Sequence, residues 1–179
     1  MGMVSQYIIK ETIQSEWTLY GPIETYEDYK DLIIALNEAR DGDGITIRIN
    51  CCGGDSSIGT MIIQAIQKSK AVVLCHVVYP SHSMASLIAI SGDYLIMQEH
   101  SFIMFHTYSC MTGGKSPDLI KDVYYMDKAL KGMTNELCYP FLSKKEIKRI
   151  DNGEDLYITA DDPTLPARLK RHFKDVYLT

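Results

Sequence analysis

The segment AVVLCHVVYPSHSMASLIAIS, residues 71–91, constrains the fold more than any other stretch of the chain. Its first eight residues form a continuous apolar, β-branched run, the pattern of a strand buried in a parallel sheet. YPSH then leads into small residues at helical spacing, ended by Gly92. An earlier stretch repeats the unit: ITIRIN (45–50) alternates with period two, CCGGD breaks the pattern, and Met61, Ile62, Ala65 and Ile66 restore helical spacing. Strand, loop and helix occurring twice imply an α/β fold of repeated βαβ units.

The flanking segments extend this plan. Residues 22–40 place Tyr29, Leu32, Ile33 and Leu36 on one helical face, with Thr25 and Asp28 spaced as a capping box. YLIMQ and SFIMFH read as two further strands. After the loop CMTGGKSP, a long helix from about 118 to 140 carries Val123, Met126, Leu130, Met133 and Leu137 at spacings of 3 and 4, a seam that packs on a partner. Ser143 and Glu146 form a second capping box before the Asp155 segment. No linker or low-complexity stretch interrupts the 179 residues, and a 46% hydrophobic composition suffices for one core, so the expectation is a single domain, 1–179.

Composition excludes several function classes. A net charge of −5 with scattered Lys and Arg gives no basic patch, which argues against nucleic acid. The five cysteines form no CxxC pair and have no ligand-spaced His, which speaks against a disulfide framework or a zinc site and for a reducing compartment. The first residues lack a cationic start followed by an apolar run, and no apolar run approaches the roughly 20 residues of a membrane span. The expected setting is cytoplasmic, without membrane contact.

A serine hydroxyl needs a base, a group orienting that base, and donors for the oxyanion it generates. Ser83 stands where an apolar strand turns into a helix, with its side chain at the strand end and the amide of Met84 facing a developing charge. Gly53 and Gly54 follow the preceding strand, and a backbone without Cβ there approaches a substrate closely. His106 ends another apolar strand. The bland alternatives are that Ser83 is a helix N-cap, His106 a core histidine, Asp155 a turn residue and the glycine pair a turn. Ser86, inside the helix, reads as a packing serine, His82 as a local influence on the pocket, and Cys51 and Cys52 as ordinary loop thiols.

INCCGGDSSIGT resembles the "INSPGG…G" segment of the Clp protease proteolytic subunit family, and SHSMAS its "AASMG" nucleophile segment. EHSFIMFH is similar to the strand ending in the family's catalytic His, and GEDLYITA to its "ERD-x-F-x-(S/T)-A" segment. The order is the family's, and the similarity runs from about 17 to 160. The resemblance implies a crotonase-like spiral with a protruding helical handle at about 107–142, after a short divergent segment, 1–16. It also implies a serine endopeptidase with Ser83 as nucleophile, His106 as general base and acid, Asp155 as orienting group, and Gly54 and Met84 as oxyanion donors. No cofactor or metal is implied. The implied substrates are polypeptides, cleaved through an acyl-enzyme inside stacked heptameric rings fed by an ATP-dependent AAA+ unfoldase.

The chain departs from the family pattern around the site. Cys51 and Cys52 stand for Ser-Pro, Asp55 for an apolar residue, Tyr79 for Gly, Ser81 and His82 for small alanines, and Glu154 for an Arg that pairs across rings. These departures leave open a second reading, a catalytically impaired ring subunit or scaffold of a Clp-type complex. Crotonase-type acyl-CoA enzymes share the spiral fold and the paired-amide site but do not need the triad.

Overall fold

In the computed structural model, which describes residues 12–109 and 113–173, one six-stranded sheet organises the chain. The expectations for residues 1–11 of the divergent segment, for Cys110, and for 110–112 of the handle region lie outside these residues. Strands β1 (Gln14–Tyr20), β2 (Gly44–Cys51) and β3 (Val72–His82) run parallel side by side. Two short strands share the far edge of β3: β4 (Tyr94–Met97) lies along Leu74–Val77, and β5 (Phe102–Phe105) along Pro80–His82. β6 (Leu156–Thr159) runs antiparallel to β5.

Helices α1 (Lys30–Glu38), α2 (Ser56–Lys68) and α3 (Met84–Ala89) follow the first three strands and pack in sequence against one another. Their apolar faces close over the odd-numbered side chains of the sheet, among them Leu19, Ile47, Ile49, Val73, Cys75, Val77 and Ile103, all fully buried. Burying one such aliphatic side chain contributes ~1.5–3 kcal/mol. Asp55 starts α2 by accepting hydrogen bonds from the Ser57 and Ile58 amides at 2.8 and 2.9 Å, which explains a carboxylate at this position. α4 (Ser116–Cys138), α5 (Lys144–Asp151) and α6 (Leu165–His172) complete the chain, and the Ser143–Glu146 capping box at α5 forms as read from the sequence.

Several expectations are corrected. The single helix over 22–40 is instead a 3₁₀ turn at Tyr26–Asp28 followed by α1. Tyr29, buried with its hydroxyl on the Pro22 carbonyl, takes φ −119° and breaks the ladder, while the Thr25 hydroxyl donates to the Asp28 carboxylate and caps no amide. β3 runs on to His82 because β5 supplies it with a second partner. It is also buried on one face only: Val72 is half exposed, and Leu74, His76 and Val78 are half-buried, since α1, α2 and α3 lie on the opposite face. β1 and α6 carry no clear period in the sequence. β1 is an edge strand whose outward residues are polar or exposed, and α6 buries little besides Leu165, Arg168 and Leu169.

The α4 seam divides. Met133 and Leu137 pack against the core, with the Thr60 hydroxyl 3.4 Å from the Met133 sulfur, whereas Ile120, Val123, Tyr124 and Tyr125 project from the body. No helix among the described residues is long and apolar enough to cross a membrane.

Candidate active site

The end of β3 is where local geometry departs from regular structure. Between Ile49 and Cys51 of β2 the partner advances from Val77 to Ser81, so β3 carries extra residues here and Tyr79 is thrown outward, 57% exposed. Irregularities of this kind re-aim the end of a strand. Two residues beyond Ser81, Ser83 adopts φ 57°, ψ −124°, a conformation L-residues rarely hold. Its amide donates to the Met104 carbonyl of β5 at 2.9 Å. Behind it Ser86, fully buried, directs its hydroxyl at the carbonyls of Ser81 and Met104 (2.6 and 2.7 Å), tying α3 to both strands as a packing serine. The Ser83 side chain caps nothing, which removes the N-cap explanation for a serine at this turn.

The glycine loop lies directly on this turn. A Cβ on Gly53 (φ +85°) would stand 2.7 Å from the His82 carbonyl oxygen and 2.8 Å from the Ser83 Cβ. Gly54 (φ +145°) bridges Ile23: the Ile23 amide donates to the Gly53 carbonyl and the Asp55 amide to the Ile23 carbonyl, both at 2.8 Å. In such a bridge the amide of Gly54 itself faces the other way. It and the Met84 amide make no hydrogen bond among the described residues. Both residues, with Ser83 and His106, line one cavity of about 450 Å³. Leu87, Phe105, Met126, Leu130 and Met133 give the cavity an apolar wall, and Cys52, Tyr108 and Thr134 also face it. Sequence reasoning had no reason to single out Thr134 or Tyr108, because α4, which carries Thr134 and faces Tyr108, reaches the site only through the tertiary fold.

His106 stands one residue beyond the last β5–β6 pair, Phe105 with Leu156, and Asp155 is the residue just before Leu156 in the chain. Asp155 is exposed and does not line the cavity, and no hydrogen bond joins Ser83 to His106 or His106 to Asp155. Glu154 instead accepts from Arg149 Nε at 2.8 Å within the same chain. His82 packs against Phe102 with ring centroids 5.2 Å apart and planes tilted by 43°, and its buried Nε2 has no partner among the described residues; burial first, and then the charge of His106, push its imidazole below its usual pKa. Cys51 is buried, with its Sγ accepting from the Gly53 amide, and burial pushes its thiol up to about 11. That thiol is a poor nucleophile at neutral pH.

A larger cavity, about 710 Å³, lies at the other end of β2 and β3 against α6 and contains neither Ser83 nor His106. Among the described residues, no group of three or more His, Cys, Asp or Glu is placed to hold a metal ion.

Comparison with known proteins supplies the family. No curated protein matches the chain. A family model described as Clp protease matches residues 6–162, a span that holds β1, the glycine loop, Ser83, His106 and Asp155, and on that match the chain belongs to the Clp protease family.

Proposed function

We propose that the chain is a serine endopeptidase acting on polypeptides through an acyl-enzyme. Ser83 Oγ attacks the peptide carbonyl while His106 takes its proton and then delivers it to the leaving amine. The amides of Gly54 and Met84 receive the oxyanion, and Asp155 orients the imidazolium once His106 and Asp155 close up. The observation that carries this reading is Ser83 itself, a serine held at positive φ with an uncommitted hydroxyl in the same cavity as His106. Open hydrogen bonds are common in unliganded sites and tighten around a substrate. The apolar wall from α3, β5 and α4 favours an apolar side chain beside the scissile bond.

The chain works as a homo-oligomer, in heptameric rings fed by an ATP-dependent AAA+ unfoldase. Support comes from the family, from the half-covered sheet, and from the apolar half of α4 that projects away from the core. The described cysteines are all unpaired, which supports a reducing, cytoplasmic setting.

Stoichiometric labelling of Ser83 by a fluorophosphonate, lost in Ser83→Ala together with peptide hydrolysis, is the expected result. A Ser83→Ala protein cleaving peptides at the wild-type rate would end this reading. A catalytically impaired ring subunit or scaffold is the second reading, favoured by the exposed Asp155 and the absent Ser83–His106 hydrogen bond. It requires assembled rings whose Ser83 resists the label.

A further inference from the structure

His106 leaves the sheet just past the end of the β5–β6 ladder, so strand pairing no longer fixes the chain that carries it. The 106–109 segment nevertheless forms part of the cavity wall, facing Met126, Leu130 and Met133 of α4. A hydrogen bond joins the two sides: Tyr108 Oη donates to Asp127 Oδ1 at 2.8 Å. On the next turn of α4, Lys131 Nζ lies 2.9 Å from the same oxygen. Lys131 first, and then the Tyr108 hydroxyl, hold the Asp127 carboxyl below its usual pKa, so the acceptor is ionised at any pH where a histidine works as a base. Tyr108 lines the cavity two residues after His106, and its hydroxyl is fastened to the helix opposite.

We propose that Tyr108 is a positioning residue for His106: its hydroxyl, anchored on Asp127, holds the 106–109 segment against α4 and so sets the approach of the imidazole to Ser83. The inference rests on the reading of Ser83 and His106 as nucleophile and base. Small displacements of a catalytic base are costly in rate, with about 1 Å worth as much as a hundredfold. The bond joins side chains 19 positions apart, on a segment and a helix that no local pattern relates.

The test is Tyr108→Phe, which keeps the ring and removes the donor, in the assembled full-length protein. Peptide hydrolysis is expected to lose about 10-fold in kcat with KM changed by less than about twofold, and fluorophosphonate labelling of Ser83 to slow by a similar factor. Asp127→Ala should reproduce the loss from the other end, and the double variant should be no worse than either single one. Asp127→Asn, which keeps an acceptor oxygen, should recover most of the rate. Wild-type kcat in Tyr108→Phe, a loss confined to KM, or a loss that merely follows a fall in native mass or melting temperature would each overturn the proposal. If Ser83→Ala is dead while Tyr108→Phe is normal, only this inference fails. If Ser83→Ala is active, the function itself is wrong.

Discussion

Ser83 is held at φ 57°, ψ −124°, and a β-carbon in such a region costs ~1–3 kcal/mol. The surrounding bonds, from its amide to Met104 and from Ser86 to Ser81 and Met104, over-determine the turn and keep the strain in place. Ser83→Ala and Ser83→Gly should therefore both lose at least about 10³-fold in peptide hydrolysis. They should differ in stability, because glycine accepts this backbone without penalty: Ser83→Gly is expected to melt ~2–6 °C above Ser83→Ala by calorimetry. Equal melting temperatures would mean that the turn stores no strain. At Gly53, alanine would meet the His82 carbonyl and the Ser83 side chain at a backbone angle of φ +85°. Gly53→Ala should lose ~1–3 kcal/mol in urea unfolding and slow Ser83 labelling as the loop lifts from the turn. Full labelling speed with wild-type stability would show that the loop has room to spare.

Between elements, the strongest polar connection joins α5 to α6. Glu146 accepts from the Ser143 amide and hydroxyl at 2.8 and 2.7 Å and from Arg168 Nη2 at 2.6 Å, and Arg168 Nη1 also donates to the Phe141 carbonyl. Chiefly through the Arg168 hydrogen bond, the Glu146 carboxyl is held at about 2, against 4.5 in an unstructured chain. With the folded value the lower one, the unfolded chain binds the extra proton first. The contribution is therefore complete above about pH 4.5 and disappears as pH falls toward 2. At 1.36 kcal/mol per pH unit this amounts to ~3 kcal/mol at most. Urea unfolding followed from pH 6 to pH 2.5 should show this loss in the wild type and a shallower slope in Glu146→Gln; identical slopes would remove the pair from the account of acid stability. Arg168→Met leaves the carboxylate half-buried without its main partner and should cost ~3 kcal/mol at neutral pH.

For the whole molecule, helices cover one face of the sheet, and the other face leaves Val72, Ile96 and Tyr157 about half exposed, while Ile120, Tyr124 and Tyr125 stand out from α4 at 61–68% exposure. Apolar surface of this extent on a single chain calls for a partner. Native mass spectrometry at micromolar concentration should find an oligomer, and Ile120→Asp with Tyr124→Asp should lower the mass with secondary structure unchanged. A monomeric wild type would refute the assembly. The strand-loop-helix units, the capping box at Ser143 and the positions of Ser83, His106 and the glycine pair were legible in the sequence, because period-two and helical spacing, caps and short motifs reside in neighbouring residues. What the sequence left undecided depends on which distant segments become neighbours. The β5 partnership lengthened β3 and fixed the Ser83 backbone through Met104, and the one-sided helix layer left the supposedly buried strand open on its other face. Tyr29 split the first helix by burying its ring. The links from Tyr108 to Asp127 and from Arg168 to Glu146 join residues with no common local pattern. Local spacing determined which elements form; the long-range register, set by burying all the apolar faces at once, decided which side chains become neighbours.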